Sequence, residues 1–531
     1  MAAILSNGVA EVDNAVLDQL KAKHPSRPAD VIFPSQEEIM DEETDRGGNS
    51  SHDIEMEECK DDVRSSSVVH DDGAETSRKI FPSLVINAEQ ILCAAKKAKR
   101  MTSGGLQQIS PWLLKRAFLE DTTLECATIA GQLATRWGRG DFETVLGELV
   151  AESQLIALYK DDKRKDVRPI SVGCALRRLL TRSYCAQIRG LINSHVQATQ
   201  IGVMKGGYEI GIHAMRELVA QAKRLGEVVM LLDFANAFNT VDRNLMLRLT
   251  AEYCPELTNL VFWLYEREPH LITTGGDIVK SSTGTQQGCT LSNPLFALTM
   301  EYIAKKIVIK GLRVKMFYWD DTALVATPEA VAKAVETIRV LAEETGLQLR
   351  WKKCHIYGTP ELVSKCKTVS PSLPSAINLH ETYDMVYLKA PIGSDVFVEE
   401  WLDGKVRKLE AIVTAIAKAP YKHEAFTLLR SCAAECRVTY LMRVIPTRQL
   451  EKFMKDFDNV LQKGFEVIIG IPIKKKWWRL AQLPPKYGGM ALRSGLQTYG
   501  AQHLCSLAKS ANNVDRIVGG WNVIAIAKRD A

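Results

Sequence analysis

The sequence feature that most constrains the fold is an apolar run that stops at an acid. Residues 228–232 are all apolar, as a buried strand requires, and Asp233 follows them at once. Further along, three aromatic residues lead into Asp320 and Asp321, and a second apolar run begins directly afterwards. This pattern predicts a β-hairpin with the two acids at its tip. An Asp-Asp pair alone is more often a solvated turn, but carboxylates that converge on one site repel unless a cation separates them. The strand-end acid is therefore a candidate to meet the hairpin acids around a cation.

A third segment lies between these two. Residues 284–295 form a glycine-bounded loop that runs into a helical pattern. In this order and at these intervals, the three segments resemble motifs A, B and C of the reverse-transcriptase palm. Residues 168–179 resemble the fingers motif of reverse transcriptases from non-long-terminal-repeat retrotransposons. Segments similar to other parts of that family occur at 202–209, 213–216, 346–349, 388–393 and 481–494, so the resemblance runs from about residue 90 to about residue 510.

The resemblance implies an α+β fold of the right-hand polymerase type, with fingers, a ferredoxin-like palm and a helical thumb. A helical N-terminal extension and a disordered acidic segment would precede these parts. The predicted division is an N-terminal segment at 1–35, the acidic linker at 36–79, the helical extension at 80–153, the fingers at 154–225, the palm at 226–395, and the helical thumb with the C-terminal region at 396–531.

Hydrophobic periodicity and turn residues predict the elements of the palm and thumb. Thr327, Pro328 and Gly346 mark the cap, the first turn and the end of one helix. The palm pattern predicts a strand at 228–233, a helix near 241–252, a hairpin near 271–282, a helix at 291–309, the acid hairpin at 313–326, a helix at 328–345 and a strand at 347–357. The thumb pattern predicts helices at 398–418, 424–443 and 449–469.

Charge is distributed unevenly along the chain. Between residues 36 and 77 there are 15 acidic and 3 basic side chains, which leaves 65 basic and 48 acidic ones elsewhere, a net charge of +17. The acidic stretch cannot bury enough apolar surface to offset its ordering entropy, so we expect it to be disordered. A body this basic favours a polyanionic partner.

Composition disfavours several other classes of protein. No run of 18 apolar residues exists, so we expect no membrane partner. The 12 cysteines lack zinc-site spacing and are expected to be free thiols in an intracellular, reducing compartment. The basic run at 96–100 has three interpretations: a nuclear import signal, a template-phosphate contact or a solvated helix end. The first would place the protein in the nucleus. No segment resembles an RNase H domain, a zinc-finger DNA reader or an endonuclease, so we expect any endonuclease to be a separate partner.

The resemblance implies nucleotidyl transfer with two metal ions, from a dNTP to a primer 3′-hydroxyl. Asp233 and Asp320 would bind both ions. Phe234 would contribute its carbonyl oxygen, and Asp321 would be a further catalytic residue and metal ligand, nearer the edge of the site. Hard oxygen ligands suit two Mg²⁺ ions, with Mn²⁺ as a substitute.

The resemblance also assigns residues to the substrates. Phe238 would pack against the sugar, where a 2′-hydroxyl would clash, although an ordinary core aromatic is the alternative. Lys353 would protonate the leaving pyrophosphate as a general acid, with Lys352 as the alternative. The other predicted nucleotide contacts are Arg168, Lys160 or Lys163, Gln287 and Gly288, and the predicted template or primer contacts are Arg177, Arg178, Trp319, Leu388 and Gly393.

Two residues depart from the family pattern. Trp319 occupies the variable position of the Tyr-x-Asp-Asp element, where a smaller residue is usual, and its indole would either slow extension or fill a gap. Arg350 stands where motif D usually has Asn. Neither change removes a predicted metal ligand, so we expect an intact site.

The leading hypothesis is an RNA-directed DNA polymerase of a retrotransposon or its host-retained remnant. Its partners would be an RNA template, a DNA primer or RNA–DNA duplex, and dNTPs. The first alternative is a non-catalytic nucleic-acid-binding scaffold that retains the fold. The second, an RNA-directed RNA polymerase, is disfavoured by Phe238.

Overall fold

A computed structural model describes residues 8–27, 81–99, 102–160, 164–196, 200–370 and 373–530. The chain divides into two compact units. The first comprises Met1–Ile192 and Phe238–Thr299, and the second comprises Asn193–Ala237 and Met300–Ala531. The predicted acidic linker at 36–79 lies outside the described residues. The predicted six-part division stays a prediction.

The described residues form both helices and sheets, and the predicted α+β class is confirmed. The helices are α1 (Asn14–Ala22), α2 (Ala88–Lys96), α3 (Pro111–Glu120), α4 (Glu125–Arg139), α5 (Thr144–Ala151), α6 (Ala175–Val196), α7 (Gly207–Leu225), α8 (Ala237–Thr240), α9 (Arg243–Tyr253), α10 (Thr258–Tyr265), α11 (Ser292–Lys306), α12 (Pro328–Glu344), α13 (Pro360–Val369), α14 (Asp395–Ala417), α15 (Lys422–Leu428), α16 (Thr439–Val444), α17 (Thr447–Ile469), α18 (Lys475–Gln482), α19 (Gly495–Val518) and α20 (Val523–Asp530). None of the helices in the described ranges combines the length and the apolarity that a bilayer crossing requires.

The strands belong to three sheets. The sheet of the first unit has the order β2-β1-β4-β5, the sheet that carries the acids has the order β6-β7-β3-β8-β9, and β10 and β11 form a separate hairpin. The strands are β1 (Ser153–Tyr159), β2 (Val167–Gly173), β3 (Val228–Leu232), β4 (His270–Thr273), β5 (Ile278–Lys280), β6 (Leu312–Tyr318), β7 (Asp321–Ala326), β8 (His355–Tyr357), β9 (Asn378–His380), β10 (Met385–Tyr387) and β11 (Ala390–Ile392).

In the first unit, β1 and β2 form an antiparallel hairpin and β4 runs parallel to β1. The hairpin predicted near 271–282 is present as β4 and β5, but it joins this sheet and not the palm sheet to which we assigned it. The reason is packing, because Leu271 and Val279 are buried in one apolar cluster with Leu155 of β1.

In the second unit, the sheet centres on β3, which is antiparallel to both β7 and β8. Val229 of β3 and Val325 of β7 are buried in one apolar cluster with Met215 and Leu218 of α7. Helix α12 packs on β3, β6 and β7. The side chain of Thr327 accepts a hydrogen bond at the start of α12, and Pro328 occupies its first turn. The helix predicted at 328–345 is therefore confirmed.

Two predicted elements are broken in the structure. The strand predicted at 347–357 survives only as β8, because Trp351–Lys353 forms a 3₁₀ turn before it. The thumb helix predicted at 424–443 is interrupted between α15 and α16. A π-type turn covers Leu429–Ala433, and the extended ψ angle of Ala434, −144°, ends it. No Pro or Gly marks either break in the sequence.

A buried polar network joins α7 to α19 within the second unit. Arg443 donates to both carboxylate oxygens of Glu209, at 2.8 and 2.7 Å. The Ser506 hydroxyl also donates to Glu209, at 2.8 Å, and its oxygen lies 2.9 Å from Nε2 of His213. Because the Ser506 proton is used, its oxygen accepts from the His213 ring. Burial disfavours the charged ring and lowers the pKa of His213 to about 3, so His213 is neutral near pH 7.

This burial predicts a pH dependence of stability. In the unfolded chain His213 takes up a proton below about pH 6.5, whereas the folded protein resists it down to about pH 3. His213 therefore removes about 1.4 kcal/mol of unfolding free energy for each pH unit over that window as the pH falls. We expect His213→Gln to be less stable than wild type at pH 7. The difference in unfolding free energy between the two proteins, here called the gap, should narrow as the pH falls from 6.5 towards 4. Chemical denaturation at several pH values measures this gap, and a gap independent of pH would contradict the prediction.

Candidate active site

The acids lie at the same end of two neighbouring strands. Leu232, the last residue of β3, pairs with Thr322 of β7, so continuing the register brings Asp233 opposite Asp321. Strand β6 returns as β7 after its last pair, Tyr318 with Asp321. The structure therefore brings the acid of the strand and the acids of the hairpin to one edge of the sheet.

The two hairpin acids occupy different positions. Trp319 and Asp320 form the two-residue turn, and Trp319 has a left-handed backbone with φ of 55°. Asp321 is not at the tip, since it is the first residue of β7, and its side chain is exposed. Asp320 is half-buried, and 26% of the Asp233 side chain is exposed. The predicted hairpin is confirmed, but only Asp320 lies in its turn.

Arg350 contacts the strand-end acid directly. Its Nη2 donates to Oδ1 of Asp233 at 3.1 Å and to the carbonyl oxygen of Phe234 at 3.2 Å. These are two of the oxygen-bearing groups that the sequence predicted as metal ligands. Sequence reasoning noted Arg350 only as a departure from the family pattern and missed this contact.

The donor set suits a hard divalent cation. Two aspartates and a backbone carbonyl are the oxygen ligands that Mg²⁺ prefers, and Mg²⁺ usually keeps several waters and takes few carboxylates. Within the described ranges, no three side chains among His, Cys, Asp and Glu are grouped closely enough to hold an ion. The residues present therefore fit the chemistry of Mg²⁺, with Asp233, Phe234 and Asp320 as the groups able to hold it, but they form no closed cage.

Trp319 is held in place by the segment before α7. The side-chain oxygen of Gln200 accepts from the Trp319 backbone N–H at 2.8 Å, and the Gln200 amide donates to the Trp319 carbonyl at 3.4 Å. The indole covers Gly202 so closely that a Cβ there would lie 2.9 Å from the ring. Of the two interpretations of Trp319, the structure shows that the ring fills a gap; its effect on extension stays a prediction.

The predicted general acids and primer contacts differ in how exposed they are. Lys352 and Lys353 are exposed on the 3₁₀ turn before β8. Leu388 is only 7% exposed and packs in the apolar core, so its side chain is not offered to a primer. Gly393, with φ of 152°, approaches Asp384 so closely that a Cβ would lie 2.2 Å from a carboxylate oxygen. The exposed residue at the turn of the β10–β11 hairpin is Lys389. Its place between two short apolar segments of the sequence could have indicated that it is exposed.

In the first unit, the predicted triphosphate residues lie on the β1–β2 hairpin. Arg168 is exposed on β2 and pairs with Leu158 of β1. Lys160 is engaged in an ion pair with Asp166, at 2.5 Å. Lys163 lies outside the described residues.

The glycine-bounded loop approaches β2 through its backbone. The Gln287 carbonyl accepts from the Ser171 backbone N–H at 2.8 Å. Gly288 has φ of 128°, and a Cβ there would lie 2.4 Å from the Ser171 carbonyl oxygen, so only glycine fits. Phe238 is half-buried and stacks on the buried Phe296, with ring centroids 4.4 Å apart.

The two predicted template arginines differ in exposure. Arg177 is only 2% exposed and donates to the Gln286 side chain at 2.7 Å and to the Val150 carbonyl at 3.0 Å. It supports the loop from inside, and the predicted nucleic-acid contact of its side chain is therefore wrong. Arg178 is half-buried and donates to the Ser103 carbonyl. Sequence alone could not show that the two neighbouring charges point to different surroundings.

A carboxylate at the end of a central strand, beside an acid-bearing hairpin of the same sheet, is the arrangement expected of the palm of a nucleic-acid polymerase. Residues 159–371 match the family described as "Reverse transcriptase (RNA-dependent DNA polymerase)". This segment of the chain thus matches the reverse transcriptase family, and curated proteins similar to the chain belong to retrotransposable elements.

Two curated relatives support that statement. The chain is 24% identical over 224 residues to the "Retrovirus-related Pol polyprotein from type-1 retrotransposable element R2" of Nasonia vitripennis, a match that covers 38% of this chain and 22% of that protein. It is 21% identical over 443 residues to the "Retrotransposable element SLACS 132 kDa protein" of Trypanosoma brucei gambiense, covering 79% of this chain and 35% of that protein. The chain thus spans about a fifth and about a third of these two relatives.

Solved structures that resemble the chain include telomerases. Telomerase from Candida tropicalis in complex with a fragment of telomeric RNA has a TM-score of 0.35 and 9% sequence identity, and the match covers 72% of this chain and 64% of that one. A likeness this distant carries no argument about function. The assignment rests on the family match and on the sheet that carries the acids.

The packing of Trp319 predicts a coupling with Gly202. Gly202→Ala would force the indole to move, and overpacking of this kind costs about 1–3 kcal/mol of unfolding free energy. Removing the ring with Trp319→Ala should relieve the clash, so the double mutant should lose less stability than the sum of the single losses, by about 0.5–3 kcal/mol. Urea unfolding of the four proteins measures this coupling. Additive losses would show that the two residues do not press on each other.

Proposed function

We propose that the chain is an RNA-directed DNA polymerase that joins a dNTP to a primer 3′-hydroxyl on an RNA template. The observation that carries the proposal is the placement of Asp233 and Asp320 at one sheet edge, inside a reverse transcriptase domain. An RNA template, a DNA primer, dNTPs, a separate endonuclease and a nuclear location belong to the same proposal.

The chain's own residues divide the work of the reaction. Asp233 and Asp320 supply carboxylates, and Phe234 supplies a carbonyl oxygen, at the point where the primer hydroxyl must meet the α-phosphate. Two divalent ions bound there, Mg²⁺ or Mn²⁺, would offset the charge of the triphosphate and align the attacking and leaving oxygens. Lys353, exposed on its turn, would give a proton to the leaving pyrophosphate.

The first unit would bind the nucleotide. The exposed guanidinium of Arg168 can grip phosphate oxygens in a two-pronged contact. Because Lys160 is already paired with Asp166, Arg168 is the stronger candidate of the two. Phe238, braced by Phe296, presents a fixed ring that would exclude a 2′-hydroxyl.

A second candidate function is a nucleic-acid-binding scaffold without catalysis. The observation that favours it is the contact of Arg350 with Asp233, because a guanidinium there already neutralises one catalytic carboxylate. This candidate predicts that RNA binding is present and that removal of the acids changes nothing measurable.

Primer extension separates the two candidates. With an RNA template, a DNA primer, dNTPs and Mg²⁺, we expect product from wild type and a loss of more than about 100-fold in Asp320→Asn, the scale on which one charge-stabilising group acts in a transition state. Glu336→Gln, an exposed acid on α12, is the matched control and should keep its activity. RNA binding at low salt should be equal in all three. No product from wild type, or product undiminished by Asp320→Asn, would refute the polymerase.

Sugar selection tests Phe238 separately. If the ring excludes a 2′-hydroxyl, Phe238→Ala should raise ribonucleotide incorporation relative to deoxynucleotide incorporation by about 10-fold or more, the scale of a single lost contact. Competing dNTP and rNTP in single-turnover extension measures the ratio. Lower stability with an unchanged ratio would assign Phe238 to the core instead.

A further inference from the structure

The contact between Arg350 and Asp233 is built into the backbone. The Arg350 N–H donates to the Asp233 carbonyl at 2.9 Å, and the Ala235 N–H donates to the Gln348 carbonyl at 2.7 Å. Phe234 and Leu349 form a bridge between these two bonds. The backbone of Arg350 is therefore fixed beside the strand-end acid, which places its side chain within reach of the Asp233 carboxylate.

The guanidinium uses the oxygens that a metal ion would use. One nitrogen, Nη2, lies 3.1 Å from Oδ1 of Asp233 and 3.2 Å from the Phe234 carbonyl oxygen. A divalent ion held by these two oxygens would therefore compete with that nitrogen for them. An ion and the guanidinium cannot share this position, since both are positive.

The guanidinium is also incompletely satisfied where it lies. Its Nε is buried and has no hydrogen-bond partner among the described residues. An arginine has five N–H donors in a planar fork that matches phosphate oxygens. A triphosphate would therefore offer this side chain acceptors that its present position does not provide. About a third of the side chain is exposed, 33%, so it has solvent on one side into which it can swing.

We propose that Arg350 holds the cation position at Asp233 until a triphosphate draws it away, so that divalent-ion binding and nucleotide binding are coupled at this site. The inference rests on the proposed polymerase function. It adds a coupling that an uncharged Asn at this position could not provide. Without nucleotide, the ion must displace the guanidinium and binds weakly. With nucleotide, the guanidinium moves to the phosphates and the two oxygens become available. Because such coupling is reciprocal, the ion must also favour the nucleotide.

Ion binding to the full chain without nucleic acid or nucleotide tests the first half. Titration with Mn²⁺, followed by the electron paramagnetic resonance signal of the free ion, should show Arg350→Gln binding about 10-fold more tightly than wild type, within the usual range for coupled sites. Arg350→Lys keeps the charge and should stay near wild type. Arg339→Gln, which removes an equal charge from the exposed face of α12, should also stay near wild type. Asp233→Asn should abolish the gain in the Arg350→Gln background.

Triphosphate binding without metal tests the second half. In EDTA, Asp233→Asn releases the guanidinium and should strengthen dTTP binding, measured by calorimetry, by about 10-fold. The same change in an Arg350→Gln background should have little effect, because no guanidinium remains to be released. A comparable gain in both backgrounds would mean that the lost negative charge acts alone, and would overturn the proposal.

These outcomes are independent of catalysis. If Arg350→Gln binds Mn²⁺ no more tightly than wild type, the coupling is wrong even if primer extension succeeds. If Arg350→Lys gains as much as Arg350→Gln, the charge explanation is overturned. If the Mn²⁺ and dTTP affinities both shift as expected but neither wild type nor any variant extends a primer, the coupling stands and the polymerase function falls.

Discussion

The site depends on main-chain pairing that brings several aspartates to the same end of the palm sheet. The end of β3 and the β6–β7 turn are locked by ladder pairing, so Asp233 cannot move away from the hairpin acids without breaking the sheet. Two like charges at such a place need a cation nearby, or one of them must be neutralised. Positive charge at this edge of the palm sheet would therefore stabilise the fold. Among the described residues, Arg350 supplies positive charge there through its ion pair with Asp233.

The hairpin turn beside the acids is held by hydrogen bonds and by packing. Trp319, in the turn, has a positive φ that is costly for a residue with a side chain, and Gln200 braces both its N–H and its carbonyl. Gly202 leaves the space that the indole fills. Strain at the turn is thus held by hydrogen bonds and packing from the segment before α7. A loosely held hairpin would let the acids move apart and would remove the converging oxygen ligands on which ion binding depends.

Local patterns in the sequence predicted much of this site. The apolar run before Asp233 and the aromatic residues before Asp320 indicated their strands, because burial and alternation act between neighbours in the chain. The contact of Arg350 could not be predicted, since it depends on the break of the strand predicted at 347–357 into a bridge and a 3₁₀ turn. The burial of Arg177 could not be predicted either, because its hydrogen-bond partner Gln286 is distant in sequence. Charge alone does not tell whether an arginine meets solvent or a buried amide.

The central claim is that the edge of the sheet at Asp233 and Asp320 is a cation site that Arg350 occupies until a nucleotide binds. Anomalous scattering from crystals soaked in Mn²⁺, with and without a dNTP, tests it most directly. The account predicts a manganese peak between Asp233 and Asp320 when nucleotide is present, with the Arg350 guanidinium moved off the Asp233 carboxylate. A saturating soak that leaves the guanidinium on Asp233 and no manganese at either acid would contradict it.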